Sequence, residues 1–92
     1  MFDMREDSYK AIDPAEREYR DRIDTVVRQV VEKFGGRFEL LSPCGYVLAN
    51  NIDLFYAVRD SQTGRQLTLR AARALGLKAL AVDIGRQLDQ QI

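Results

Sequence analysis

The sequence predicts a single α+β domain over residues 1–92, with a long N-terminal helix, a small antiparallel β-meander of three to four strands and a C-terminal helix or helix pair. Apolar residues recur at steps of three and four in residues 13–36 and again in residues 70–91, which is the spacing of amphipathic helices. Between these segments, apolar and polar residues alternate in short runs, as in half-buried strands. We expect the helices to bury their apolar stripes on one face of the sheet.

The first helix has clear start and stop signals. Asp13 is a favourable N-cap residue, Pro14 occupies the first helical position, and Glu16 stands at the capping-box position. The helix is expected to end at Gly35 and Gly36, because glycine readily adopts the left-handed conformation of a C-terminal cap. The apolar stripe consists of Tyr19, Ile23, Val26, Val27, Val30, Val31 and Phe34. The charged residues of the other face are expected to be solvated: Glu16, Arg17, Arg20, Asp21, Asp24, Arg28 and Glu32.

Four short runs are predicted as strands, at residues 37–41, 46–49, 52–59 and 65–69. Turn-forming residues separate these runs at residues 42–45, 50–51 and 60–64. Phe38, Tyr46 and Tyr56 are expected to face the helices, whereas the alternation puts Phe55 on the opposite face. From Arg70 onward the helical period resumes, and Gly76 either lies within one helix or separates two.

Charge and composition argue against several classes of protein. Fourteen basic and fourteen acidic residues give a formal net charge of zero, which argues against non-specific binding to nucleic acid or to an anionic membrane. The single cysteine cannot form an intramolecular disulfide, so a reducing compartment is the simpler inference. No apolar run approaches the roughly 18 residues of a membrane span. We therefore expect a cytoplasmic protein without a membrane association.

The sequence offers no set of residues for catalysis, for a metal or for a cofactor. It contains no histidine, which removes the commonest general base and the commonest neutral metal ligand. A thiolate nucleophile usually needs a nearby base, and Cys44 lies in a Pro-Cys-Gly turn without one. The ligand patterns of zinc sites, calcium loops and phosphate-binding loops are absent. We expect no catalytic activity, no metal and no cofactor.

Phe55 is the residue that most favours a protein-binding surface. One apolar face suffices for a core, so an aromatic residue on the second face indicates an interface with another protein or with a second copy. The residues that would flank this surface are Asn50, Asn51, Arg59 and Arg65. The alternative is that Phe55 is a β-favouring residue covered by the N-terminal arm.

Residues 1–12 form this N-terminal arm. They show no helical or strand period, which is typical of a flexible terminus. Their apolar content also fits an arm that docks on a partner or on a second subunit through Phe2, Met4 and Tyr9.

Residues 68–91 contain a further pattern. Ala72 is followed four positions later by Gly76, with Leu75, Leu77 and Val82 as the apolar positions on both sides. This pattern resembles the core of the helix-turn-helix family of DNA-binding proteins. The resemblance implies that the helix after the glycine enters the major groove. The DNA contacts that it implies are Arg70 and Arg73 at phosphates, and Lys78, Arg86 and Gln87 at bases.

The sequence therefore favours a small non-catalytic protein-binding factor, active as a homodimer, that occupies a surface of another macromolecule. Very small neutral chains without histidine include the inhibitors that phages and mobile elements direct at host systems, so we expect a role of this kind. The alternative is a helix-turn-helix transcriptional regulator.

Overall fold

A computed structural model describes residues 13–48 and 52–92 of the chain. Two helices and three strands follow one another in this part: α1 (Pro14–Glu32), β1 (Phe38–Leu40), β2 (Leu54–Asp60), β3 (Gln66–Ala71) and α2 (Leu77–Asp89). The strands form an antiparallel sheet in the order β1-β2-β3. Both helices pack on one face of this sheet, which confirms the predicted α+β fold.

The first helix follows its predicted signals. The Asp13 carboxylate accepts a hydrogen bond from the N–H of Ala15 at 2.9 Å, and Pro14 takes the first helical position. After α1 the chain passes through a turn in which Gly35 and Gly36 have φ angles of 60° and 87°. Other residues would be strained at these angles, so the two glycines allow the chain to leave the helix.

The core lies between the two helices and one face of the sheet. Every element contributes to it: Ile23, Val27, Val30 and Val31 from α1, Phe38 from β1, Leu54, Tyr56 and Val58 from β2, Leu69 and Ala71 from β3, and Leu80, Ile84 and Leu88 from α2. Each large apolar side chain buried in this way contributes roughly 1.5–3 kcal/mol. The helices approach each other at Gly85, where a Cβ atom would lie 3.9 Å from Cγ1 of Val30.

In the described residues 41–48, the chain after β1 does not form the separate strand and the reversing turn that the sequence predicts. β1 runs antiparallel along one edge of β2, with Leu40 opposite Val58. Tyr46 then forms a single bridge with Phe55 on the same edge. The chain therefore keeps one direction from β1 to Tyr46, and the predicted reversal at residues 42–45 is wrong.

Residues 41–45 form a bulge at this edge, opposite only Tyr56 and Ala57. The Ala57 carbonyl accepts a hydrogen bond from the N–H of Leu41 at 2.8 Å, and the Ser42 hydroxyl accepts one from the N–H of Ala57 at 2.9 Å. Serine, proline and glycine favour turns, but the same residue types also bend a strand at a bulge. The sequence thus predicts the irregular segment but not its direction.

The predicted start of helical structure at Arg70 is also wrong. Arg70 and Ala71 are the last residues of β3 and pair with β2. A turn then leads to Gly76, which is the N-cap residue of α2. Alanine and leucine favour helix locally, but pairing with a buried central strand overrides this preference. The described C-terminal segment therefore contains one helix.

Asp60 fixes the connection between β2 and β3. Its carboxylate accepts hydrogen bonds from Nε and Nη2 of Arg37 at 2.9 and 3.0 Å, and from the N–H of Gln62 at 2.9 Å. Only 3% of Asp60 is exposed. The hydrogen bond from Arg37 lowers the pKa of this carboxyl, and the N–H groups of Gln62 and Thr63 lower it further. The connection therefore depends on an ionised Asp60.

Alanine substitutions at Gly45 and at Gly85 form a matched pair, because they should change the free energy of unfolding in opposite directions. At Gly45 an added Cβ would lie 2.7 and 2.8 Å from Oη and Cζ of Tyr56, which is fully buried. Gly45→Ala should therefore lower the free energy of unfolding by about 1–3 kcal/mol. Gly85 lies within α2 with room for a methyl group, so Gly85→Ala should raise it by up to about 1 kcal/mol. Urea unfolding measures the change in the free energy of unfolding for each variant. Changes in the same direction would contradict the close approach of Gly45 to Tyr56.

Asp60→Asn tests whether the ionised carboxylate of Asp60 stabilises the β2–β3 connection. Because the pKa of Asp60 is lower in the folded than in the unfolded chain, its stabilising contribution is complete above the ordinary value of 3.8 and is lost as the pH falls through the folded-state pKa. We expect the variant to be less stable than the wild type at neutral pH, and the difference to narrow below about pH 4. Chemical denaturation as a function of pH measures this difference. If the difference in the free energy of unfolding between wild type and variant stays constant into the acid range, the charge of Asp60 does not stabilise the connection.

Candidate protein-binding surface

Exposed apolar side chains gather in the connection that leads from the bulge to β2. Tyr46, Val47, Leu48 and Ile52 are 38%, 49%, 48% and 68% exposed, although such side chains are usually found in a core. We call these four residues the apolar loop. Residues 49–51 of the same connection lie outside the described part of the chain.

The two ends of this connection are held together. The N–H groups of Tyr46 and Phe55 each donate to the carbonyl oxygen of the other residue, at 3.0 and 2.8 Å. The centroids of their rings lie 6.2 Å apart. Since the chain leaves and returns at the same place, the apolar loop is confined to one edge of the sheet, on the side of β1.

Phe55 lies beneath this surface. It points to the sheet face away from the helices, as predicted, because its neighbours Leu54 and Tyr56 point into the core. It is only 8% exposed, so it offers little open surface to a partner. Tyr46 lies directly opposite Phe55 and shares its face, so the prediction that Tyr46 faces the helices is wrong.

The entry to the apolar loop is fixed by Asp24 of α1. Its Oδ1 atom accepts hydrogen bonds from the N–H of Gly45, at 2.9 Å, and from the hydroxyl of Tyr56. Burial raises the pKa of Tyr56, and the hydrogen bond to Asp24 raises it further, so the phenol remains a protonated donor. One carboxylate therefore joins the helix, the bulge and the central strand. The prediction of a solvated Asp24 is wrong, because this position borders the buried stripe beside Ile23.

The exit from the apolar loop is fixed by Asp53, which is 5% exposed. Its carboxylate accepts hydrogen bonds from the N–H of Arg73 at 2.9 Å and from Nε of Arg70 at 2.6 Å. The Arg73 N–H and then the Arg70 guanidinium lower the pKa of Asp53. Nε of Arg73 also donates to the carbonyl oxygen of Ile52 at 3.1 Å. The last residue of the apolar loop is thus attached to the connection between β3 and α2.

Arg73 extends this attachment to α1. Its Nη1 and Nη2 atoms donate to Oε1 and Oε2 of Glu16 at 3.1 and 2.6 Å, and its guanidinium lies 4.4 Å from the centre of the Tyr19 ring. The hydrogen bonds from Arg73 and then from Arg20 lower the pKa of Glu16. Glu16 therefore belongs to an ion-paired network and is not the solvated residue that the sequence predicts. Arg73 and Glu16 are 57 positions apart, so no local pattern indicates their contact.

The structure separates the other predicted protein-binding residues from Phe55. Arg59 lies near the far end of β2, where its guanidinium forms an ion pair with Glu39. Arg65 lies in the exposed connection between β2 and β3, at the same end. The N-terminal arm and five predicted contact residues lie outside the described residues: Phe2, Met4, Tyr9, Asn50 and Asn51.

The residues predicted to contact DNA do not form a helix-turn-helix. The motif requires a helix before the turn at Gly76, and β3 occupies this place. The guanidinium of Arg70 forms an ion pair with Asp53 although its side chain is exposed, and the guanidinium of Arg73 forms an ion pair with Glu16. Lys78 and Arg86 are exposed on α2. The structural basis for the resemblance is therefore absent from residues 68–91.

Gln87, the last of these predicted residues, covers part of the outer edge of β3. Its amide nitrogen donates to the carbonyl oxygen of Arg70 at 2.9 Å, and its amide oxygen accepts a hydrogen bond from the N–H of Arg70 at 3.0 Å. The same amide nitrogen donates to Oδ2 of Asp83 at 2.8 Å. The side chain therefore takes the place of a neighbouring strand at Arg70.

The described residues contain no cluster of three or more cysteine, aspartate or glutamate side chains that could hold a metal ion, and the chain has no histidine. Cys44 is exposed in the bulge. Neither helix in the described part of the chain is both long enough and apolar enough to cross a membrane.

Comparison of the chain with protein-family models, with curated proteins and with solved structures finds no match.

Arg73→Gln tests whether the ion-paired network holds the apolar loop. The substitution removes the bidentate ion pair with Glu16 and weakens the hydrogen bonding to the carbonyl oxygen of Ile52. We therefore expect the free energy of unfolding to fall by about 1–2 kcal/mol. Amide hydrogen exchange in residues 46–48 should accelerate, because the loop loses the hydrogen bond from Nε of Arg73 to the carbonyl oxygen of Ile52. Chemical denaturation and exchange measured by NMR check the two expectations.

The matched control for this experiment is Arg22→Gln. Arg22 forms an ion pair with Glu18 at 2.6 Å, but both side chains are well exposed. Its removal should change the free energy of unfolding by less than about 0.5 kcal/mol and leave exchange in the apolar loop unchanged. Equal effects of the two substitutions would show that Arg73 has no special role in holding the loop.

Proposed function

We propose that this protein is a non-catalytic protein-binding factor that occupies an apolar surface of another protein through the apolar loop. The observation that supports the proposal is the concentration of four exposed, large apolar side chains in one connection at one edge of the sheet. Apolar side chains that cluster on a surface mark interaction sites, whereas single exposed ones are ordinary. In the part of the chain that the structure describes, the other exposed large apolar residues occur singly, in the bulge or along and after α2: Leu41, Leu77, Val82 and Ile92.

The attachments of the apolar loop favour binding because they reduce the conformational entropy lost when a partner is bound. Asp24 fixes the chain just before the loop, and Asp53 fixes the chain just after it. Tyr46 supplies an aromatic ring that contacts Phe55 and is still 38% exposed. Tyrosine is enriched among the residues that dominate interface energies, so Tyr46 is the expected anchor of the contact.

The chemistry of the apolar loop selects an apolar partner surface. None of its four side chains carries a charge, and the nearby carboxylates already accept hydrogen bonds within the chain. Binding would therefore depend on apolar burial and not on attraction between net charges, in keeping with the formal net charge of zero. An affinity that changes little with salt concentration is expected.

This proposal gives Phe55 a different role from the one that the sequence suggests. Because its ring is buried, Phe55 would support Tyr46 from below and would not itself contact the partner. The identity of the partner stays a prediction. A host protein inhibited by a phage or mobile element is the class that the size of the chain and its lack of catalytic groups favour.

The triple substitution Val47→Ser, Leu48→Ser and Ile52→Ser tests the proposal, because it removes apolar contacts and leaves the anchoring carboxylates in place. We expect binding to weaken by at least about tenfold, since single truncations at the centre of an interface often remove more than about 1 kcal/mol. The measurement is quantitative capture from a lysate of the native cells by the immobilised protein, followed by titration of the retained partner.

The matched control places three serines at exposed apolar positions elsewhere, as Leu77→Ser, Val82→Ser and Ile92→Ser. This control should retain every partner that the wild type captures. If the loop variant keeps its circular dichroism spectrum and still retains the same partners, the apolar loop is not the binding surface.

A further inference from the structure

The N-terminal arm, residues 1–12, joins the described part of the chain beside the apolar loop. Its last residue precedes Asp13, the N-cap residue of α1, and Glu16 lies in the first turn of that helix. Both carboxylate oxygens of Glu16 accept hydrogen bonds from Arg73, whose Nε atom donates to the carbonyl oxygen of Ile52. One guanidinium group therefore spans the distance between the start of α1 and the last residue of the apolar loop.

The start of α1 and the apolar loop lie at the same end of the sheet. Asp24 lies beside the entry to the loop, and Glu16, about two helical turns earlier, lies beside its exit. Tyr46 pairs antiparallel with Phe55, so the chain after Tyr46 continues past the first residue of β2. The apolar loop therefore extends from the end of the sheet at which the N-terminal arm begins.

An open groove on the first turns of α1 adjoins this end of the sheet. Its lining residues share one face of the helix: Ala15, Glu18, Tyr19 and Arg22. The Tyr19 ring also lies 4.4 Å from the guanidinium of Arg73, which is bonded to Ile52. The groove therefore borders the attachment of the apolar loop, and a chain that precedes Asp13 can reach the loop along the surface of α1.

The N-terminal arm has the side chains and the length to cover the apolar loop. Its large apolar residues are spaced among charged ones: Phe2, Met4, Tyr9 and Ile12. A chain spans at most about 3.3 Å per residue, so Tyr9 can lie up to about 13 Å from Asp13, and Phe2 up to about 36 Å. The side chains of the apolar loop carry no charge, so they suit the apolar residues of the arm, while its charged residues stay in water.

We infer that the N-terminal arm occupies the apolar loop of its own chain, and that a partner must displace the arm in order to bind. This inference rests on the proposed function, because the arm then controls access to the binding surface. A short covalent tether gives the arm an effective concentration on the order of millimolar at the loop. The arm of a second copy would need a protein concentration of that order to compete, so the tether favours the arm of the same chain.

Nuclear Overhauser effects in the intact chain test this contact without a substitution. We expect effects between the ring protons of Phe2 or Tyr9 and the methyl groups of Val47, Leu48 and Ile52. A mixed sample, in which only some of the chains carry carbon-13, separates contacts within a chain from contacts between chains. Effects that occur only between chains would place the arm on a second copy and overturn the inference. The absence of these effects from every sample would also overturn it.

A variant of the arm tests which side chains make the contact. Serine at Phe2, Met4 and Tyr9 removes the aromatic rings, so the methyl resonances of the apolar loop should lose the shifts that ring currents cause. The matched control has four charged residues of the arm replaced by serine and keeps the net charge: Arg5→Ser, Glu6→Ser, Asp7→Ser and Lys10→Ser. This control should leave the methyl resonances unchanged. Equal changes in the two variants would overturn the inference that apolar side chains of the arm cover the loop.

Titration of the captured partner separates this inference from the proposed function. If the arm occupies the loop in about nine of ten molecules, the variant with serine at Phe2, Met4 and Tyr9 should bind the partner about tenfold more tightly than the wild type. The charge control should bind like the wild type. Equal or weaker binding by the arm variant would overturn the inference and leave the proposed function intact. Undiminished binding by the variant with serines in the apolar loop would overturn the proposed function, whereas the contact between arm and loop in the wild type would still be observed.

Discussion

Tyr56 is fully buried at the centre of the sheet, and its hydroxyl needs an acceptor that water cannot supply. A buried hydroxyl without a partner destabilises a protein by about 1–3 kcal/mol, and Asp24 of α1 provides the acceptor. This requirement fixes the rotation of α1 about its axis, because Asp24 must face the sheet. It also shapes the bulge, since the backbone of Gly45 reaches the same carboxylate and lies too close to the phenol for any side chain.

The parts of the fold that can be predicted from the sequence are those whose signals are local. The cap, the first proline and the apolar period of α1 all lie within the helix, and the β2–β3 hairpin combines alternation with a polar connection. The bulge and the start of α2 cannot be predicted in this way. Ser42 and Gly45 suit a reversal as well as a bulge, and pairing with β2 draws Arg70 and Ala71 into a strand.

The candidate site shows the same limit. Alternation identifies the face that Phe55 takes, but it does not show what covers the ring. Tyr46 and the two residues after it favour strand by composition, and only the structure shows that they leave the sheet after one bridge. The contact of Arg73 with Glu16 depends on where two distant segments of the chain meet in the fold. The sequence around either residue does not predict this meeting.

Asp24 and Asp53 hold the connection around the apolar loop, while the side chains of Val47, Leu48 and Ile52 take no part in the core. Under the proposed function, the residues that hold the fold together and the residues that contact the partner are therefore different ones within a chain of 92. Under the same proposal, natural variation in these outward-facing residues would change the target of a descendant while its framework stays the same. A library randomised at these few positions would offer protein engineers the same freedom.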